Sequence, residues 1–203
     1  MLKTLLFDVD GVLAIGEPWH KDLARAYGIT PDMLTPFFQG PFQSCLIGKA
    51  DLKAELATYL PHWNWPHSVD AFVDYWFRQE ALALNERLLQ TIQYLRQRDI
   101  KCYLATQQER YRTEYILREM GFAELFDGMF SSVDIGYMKT EPRFFISILA
   151  TLKDCQPGEV FFWDDTPANV ATARSAGIQA EVYSDFSGFQ VKMQEFIGNM
   201  LPA

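Results

Sequence analysis

The chain has 203 residues, 49% of them hydrophobic and 22% charged, with a formal net charge of −8 and an isoelectric point near 4.9. That length and balance suit a globular chain that can bury a good-sized core, either as one domain or as a domain with a smaller insert. The acidic balance argues against a nucleic acid polymer as partner, because phosphate-backbone binding rests on clustered Lys and Arg; an anionic small molecule stays open where a metal or a few placed cations answer it.

The first predicted element is the apolar run that leads into LLFDVDGVL, Leu5 to Leu13. It has strand length, ends in two aspartates separated by one valine, and is released by Gly11. Alternate side chains of a strand share a face, so Asp8 and Asp10 can point the same way from the carboxyl end of a buried strand. Two carboxylates that close repel unless a cation or a shared proton relieves them, and Mg2+, which takes few carboxylates and often a phosphate, is an economical answer. A plain turn also accommodates Asp-x-Asp-Gly. A calcium loop does not fit, because Val12, Leu13, Ala14 and Ile15 follow where oxygen ligands are required.

Gly16-Glu17-Pro18 breaks the pattern, and from Trp19 to about Leu84 the chain reads as helical stretches rich in aromatics and punctuated by Pro31, Pro36, Gly40, Pro41, Gly48, Pro61 and Pro66. Asp51 to Leu60 has helical spacing, with Leu52, Leu56, Ala57 and Leu60 on one stripe. The aromatics of this helical insert are expected to form its own core. From Asn85 onward helix and strand alternate, the mark of a parallel sheet covered on both faces. The predicted order is a helix carrying Leu88, Leu89, Ile92 and Leu95, a strand Ile100 to Thr106, a helix Arg110 to Met120 ended by Gly121, and a short strand Met129 to Ser131. A helix opened by Pro142 follows, then a strand Val160 to Trp163 and a helix with Thr166 as N-cap, Pro167 in its first turn and Gly177 at its end. A strand Gln179 to Tyr183 and a closing helix Phe189 to Met200 complete the reading.

Cys45, Cys102 and Cys155 are odd in number and far apart, which favours reduced, buried thiols over disulfides or a zinc site. His20, His62 and His67 lack metal-ligand spacing and read as surface or cap residues. The start lacks the pattern of a secretion signal, and no window approaches the length of a membrane span, so the expected setting is the cytoplasm with no membrane partner.

Open α/β sheets bind ligands outside the carboxyl ends of their strands. Those ends present Asp8 with Asp10, Thr106, Lys139 in the loop after the third strand, and Asp164 with Asp165. Acids for a metal, a hydroxyl and a lysine for an anion make up the inventory of phosphoryl transfer, which is chiefly positioning and charge neutralisation around phosphate oxygens. Taken singly, Thr106 also suits a turn cap, Lys139 a solvated loop and Asp165 or Thr166 a helix cap.

The series DVDGVL, LAT, GYMKTEPRFF and FFWDDTPANVATARSAG resembles the four signatures of the haloacid dehalogenase-like hydrolases and covers essentially the whole chain. It is most similar to the branch with a helical cap inserted after the first strand. The resemblance implies an α/β fold, a doubly wound, Rossmann-like parallel-sheet core from residues 1–14 and 86–203, with a small helical cap at 15–85. It implies Asp8 as nucleophile forming an aspartyl-phosphate and Asp10 as general acid and then base. It also implies Mg2+ among Asp8, the Asp10 backbone carbonyl and Asp165 with Asp164 supporting or sharing the ligation, and Thr106 and Lys139 on the phosphate. Asp10 favours phosphate esters, because a halide leaves without protonation. Gln107 departs from the asparagine that relatives often carry. In similar caps the stretches holding Trp19, His20, Gly48 and Lys49 turn toward the phosphate site. The expected activity is that of a Mg2+-dependent phosphatase of a small phosphorylated metabolite, a sugar phosphate or nucleotide. The alternatives are a sugar phosphomutase on the same scaffold, a phosphonate-cleaving relative using Lys49 or Lys53, a phosphoaspartate signalling module, and a binding protein on a degenerate scaffold.

Overall fold

The structure is a computed structural model describing residues 2–16, 19–80, 83–153 and 155–198. The described residues include five parallel strands: β1 (Thr4–Phe7), β2 (Lys101–Thr106), β3 (Gly128–Ser131), β4 (Val160–Asp164) and β5 (Gln179–Val182), in the order β3-β2-β1-β4-β5. β1 lies in the middle, and the order reverses beside it, between β1 and β4. Leu5 stands opposite Cys102 on one side and Phe161 on the other. The strands read as continuous apolar runs because both faces are covered. Leu5, Phe7, Cys102, Leu104, Phe161 and Trp163 pack on one face with α6 (Glu86–Arg96) and α12 (Phe186–Ile197). Leu6, Ala105, Val160 and Phe162 point the other way, toward α10 (Pro142–Thr151) and α11 (Pro167–Ser175).

Between β1 and α6 the described residues form five helices: α1 (His20–Tyr27), α2 (Pro31–Gln39), α3 (Phe42–Leu46), α4 (Leu52–Tyr59) and α5 (Val69–Glu80). They carry a cluster of their own, with Trp19, Phe37, Trp63, Trp65, Phe72, Trp76 and Phe77 buried in it, as the aromatic content led one to expect. Trp19 stacks on Trp76 at 5.2 Å between ring centroids. Tyr111 and Tyr115 of α7 (Arg110–Arg118) pack against the same cluster from the sheet side. The two crossings run side by side, since Ile15 N donates to Ala83 O and Asn85 N to Leu13 O. The Asn85 side chain caps α6 at Leu88 N and donates to Val12 O and to the Tyr183 hydroxyl, fixing the return.

Several boundaries differ from the sequence reading. β1 stops at Phe7, because Val9 O accepts from the backbone N–H of Val12, Leu13 and Ala14 and folds Asp8 to Ala14 into a tight turn. α7 ends at Arg118, and Gly121, at φ 72°, leads into a short helix, α8 (Phe122–Leu125). A second short helix, α9 (Ser132–Ile135), follows β3. The last helix begins at Phe186, three residues early, because Asp185 caps it at Gly188 N. Cys155 is half-buried instead of buried, its sulfur 3.2 Å from Thr4 Oγ1. The Glu17-Pro18 part of the expected break and the expected helix end at Met200 lie outside the described residues. No helix among the described residues is long and apolar enough to cross a membrane.

Candidate active site

All the strand-end residues singled out above gather at one edge of the sheet. Asp8 follows β1, its N–H still in the ladder to Trp163 O, and its side chain is 9% exposed. Lys139, buried in the loop between α9 and α10, places Nζ 2.6 Å from Asp8 Oδ2 and 2.7 Å from Asp164 Oδ2. One buried cation thus serves two buried carboxylates, the arrangement that makes such burial tolerable. Lys139 is set from the backbone as well, where its N–H donates to Gln107 Oε1 at 3.1 Å. Gln107 therefore anchors the lysine loop.

Asp164 has no exposed surface and is fully engaged: besides Lys139 it accepts from Thr166 N at 2.8 Å and from Asn169 Nδ2 at 3.1 and 3.2 Å. Thr166 stands at the N-cap of α11 but does not cap it with its side chain. Its hydroxyl instead donates to Asp165 Oδ1. Asp165 is exposed, and Gly11 lies directly against it, so that a Cβ at Gly11 would fall 2.1 Å from Asp165 Oδ2. Gly11 also holds φ 76°, so two independent reasons call for glycine there.

Oxygens of Asp8, Asp164 and Asp165 lie within 4.8 Å of one another. Burial holds the Asp8 carboxyl up to about 7, Lys139 opposing and Asp164 adding to the rise. Asp165 is shifted up by burial and by Asp164, while Lys139 is held above its usual value by its two acids, which outweigh burial. A divalent cation fits this set: it would relieve the crowding, with Asp8 and Asp165 offering oxygens less committed than those of Asp164.

The Asp10 side chain is not part of that group. It is about half exposed, with Oδ2 accepting from Gln108 Nε2 at 2.5 Å and Oδ1 facing Arg112 Nη2 at 3.6 Å. Asp8 and Asp10 do not share a strand face as the pleat spacing led one to expect, because β1 has already ended at Phe7. The turn aims Asp8 at Lys139 and Asp10 at the loop after β2. Thr106, at the end of β2, is wholly buried, and its hydroxyl has no hydrogen-bond partner, an expensive state that a ligand oxygen would relieve.

Gln108, Glu109, Arg112 and Asn169 belong to this region and were not singled out from the sequence. Arg112 and Asn169 carry a legible signal, each being polar on a buried helical stripe, Arg112 four residues before Ile116 and Asn169 beside Val170 and Ala173. Glu109 is 2% exposed and caps α7 through Tyr111 N and Arg112 N, and burial holds its carboxyl up to about 7. A cleft of about 260 Å³ opens between Gly48 to Leu52 of the inserted helices and Glu109 to Tyr111. It holds the Gly48 and Lys49 stretch, whereas Trp19 and His20 line a separate hollow with Pro31 and Phe38.

The family model of the haloacid dehalogenase-like hydrolases matches residues 2–177. Among curated proteins, the bifunctional epoxide hydrolase 2 of Rattus norvegicus is 25% identical over 99% of this chain and 40% of its own, so the chain spans about two fifths of that relative. The phosphorylated carbohydrates phosphatase of Thermotoga maritima is 25% identical over 88% of this chain and 83% of its own. Among solved structures, an enzyme of the same family from Bacteroides thetaiotaomicron, in complex with magnesium and inorganic phosphate, superposes with a TM-score of 0.77 at 18% identity, covering 93% of this chain and 99% of that one.

Proposed function

The chain belongs to the haloacid dehalogenase-like hydrolases, and from that membership we propose that it is a Mg2+-dependent phosphatase of a small phosphate monoester, a sugar phosphate or nucleotide. The observation that carries the reading is the pairing of a buried, cation-held Asp8 with the unpartnered hydroxyl of Thr106 at the same strand-end edge. One group is a nucleophile held in place, and the other is a donor waiting for an acceptor.

In this reading Asp8 attacks phosphorus and forms an aspartyl-phosphate, which divides one hard displacement into two easier ones. Asp10 protonates the leaving alkoxide and then takes a proton from the water that hydrolyses the intermediate. Thr106 donates to a phosphoryl oxygen, and Lys139 neutralises charge on the phosphate while fixing Asp8. Mg2+, held by Asp8, Asp165, the Asp10 backbone carbonyl and Asp164 in support, would screen the nucleophilic carboxylate from the phosphate it approaches. The helices at 15–85 act as a cap that excludes water and selects the substrate. The phosphatases among the relatives support the reaction class, and the net charge of −8 supports a metabolite over a nucleic acid polymer. A phosphoaspartate signalling module is disfavoured by the strand order, which is 3-2-1-4-5 here and 2-1-3-4-5 in that fold.

The test is phosphate release from a panel of sugar phosphates, nucleotides and p-nitrophenyl phosphate, with Mg2+ and with EDTA, for the native chain and Asp8→Asn. Metal-dependent release that disappears in the variant is expected. Silence across the panel from a folded protein that binds Mg2+ would overturn the reading in favour of the mutase.

A further inference from the structure

We infer that Arg112 is a positioning residue for Asp10 that couples the set of this carboxylate to the seating of the inserted helices; the inference rests on the reading of Asp10 as general acid and base.

Arg112 is an arginine 1% exposed, on α7, between the sheet and the inserted helices. A guanidinium does not lose its charge in a protein, so its burial requires fixed acceptors. Nη1 donates to Phe77 O at 2.9 Å. Phe77 lies in the last turn of α5, where a cation also suits the helix dipole. Nη2 lies 3.6 Å from Asp10 Oδ1. The rings of Phe77 and Tyr115 flank the guanidinium at 5.3 and 5.4 Å and limit its freedom. A single rigid group therefore contacts the end of an inserted helix at one nitrogen and the Asp10 carboxylate at another.

Asp10 needs this support. Its backbone is fixed by the turn at Val9, but its side chain is half exposed and projects from no strand. Gln108 holds one oxygen at 2.5 Å and Arg112 faces the other, so both rotations of the carboxyl are constrained. One orientation serves both proton transfers, because the leaving oxygen departs from the apex opposite Asp8 and the attacking water enters there. A shift of α5 carries Phe77 O with it and releases Arg112 from one of its acceptors.

Leaving-group dependence separates positioning of an acid from general structural damage. Phenyl phosphate has a strongly basic leaving group that needs the acid, and p-nitrophenyl phosphate a weakly basic one that does not. Pre-steady-state bursts of both are measured for the native chain, Arg112→Met and Arg112→Lys, with melting curves alongside. For Arg112→Met the phenyl phosphate burst slows about tenfold or more, part of the roughly 10²–10⁴-fold that a positioned acid or base contributes. The p-nitrophenyl phosphate burst is little changed, and steady-state kcat of both falls because Asp10 is also the base of the second step; for p-nitrophenyl phosphate KM falls along with kcat, so kcat/KM is nearly kept, whereas for phenyl phosphate kcat/KM falls. Arg112→Lys, which keeps the charge but not the fork, lies between; should the Met variant not fold, this variant decides. Equal slowing of the two bursts, or an unaltered phenyl phosphate burst, overturns the inference and leaves the phosphatase reading standing. No turnover of either ester by the native chain, with Mg2+ present, overturns both.

Discussion

Replacing Lys139 by methionine tests the electrostatic frame of the site most directly. Met nearly conserves volume and removes the ammonium that lies 2.6 Å from Asp8 and 2.7 Å from Asp164, among side chains 9% and 0% exposed. Asp8 can respond by holding its proton, since its carboxyl is already raised to about 7. Asp164 then remains a buried anion supported only by the neutral donors Thr166 N and Asn169. Removing one partner of a buried pair costs about 3–5 kcal/mol. In a chain of this size each kcal/mol lowers the melting temperature by about 2–4 °C, so a fall of roughly 6–20 °C is expected. The second variant, Asp164→Asn, removes the anion that Lys139 neutralises. Combined with Lys139→Met it should recover much of the loss, because replacing both members of a buried pair by neutral groups is often close to harmless. The assay is thermal and urea unfolding in EDTA at pH 7 for the four members of the cycle. Additivity within about 0.5 kcal/mol, the scatter of independent sites, would refute the reasoning.

Thr106→Val keeps the shape of a buried side chain and removes a hydroxyl that has no partner in the structure. The variant should be as stable as the native chain or about 1 kcal/mol more so, while kcat/KM falls about tenfold through the lost phosphate hydrogen bond. A lower melting temperature with unchanged kcat/KM would contradict that assignment. Stability without metal should also depend on pH with a defined sign. Asp8 and Glu109 keep their protons to about 7 in the fold, against ordinary values of 3.8 and 4.5, so the folded state binds more protons than the unfolded state across that window. The contribution is complete below about 4 and is lost as pH rises through about 7. Melting temperatures in EDTA should therefore fall from pH 5 to pH 7.5, and Mg2+, which favours the ionised Asp8, should stabilise more at pH 7.5 than at pH 5. A flat or rising curve in EDTA would count against it.

The parallel sheet was legible in the amino-acid pattern. Apolar runs such as Leu5 to Phe7 and Val160 to Trp163, alternating with helical stripes, read as strands covered on both faces, and two of the helices between them are opened by Pro142 and Pro167 in their first turns. The pattern also pointed to the candidate residues, because the segments that leave buried parallel strands run along the ligand edge: Asp8, Thr106, Asp164 and Asp165 stand there, and Lys139 reaches it from the loop after α9. The aromatics of the insert announced a cluster of their own for the same reason, that apolar area of this size must be buried somewhere. How the acids divide follows from tertiary packing. The turn at Val9 sends Asp8 toward Lys139 and Asp10 toward Gln108 and Arg112, a separation that the two-residue spacing could not reveal, because it depends on where the strand stops. The same holds for Arg112: its acceptor Phe77 O and the Asp10 carboxylate it faces come from segments about 35 and 100 residues before it, and meet only when the inserted helices seat against α7. Local pattern carries burial and element type, whereas the partners of a buried charge are non-local and are fixed by packing alone.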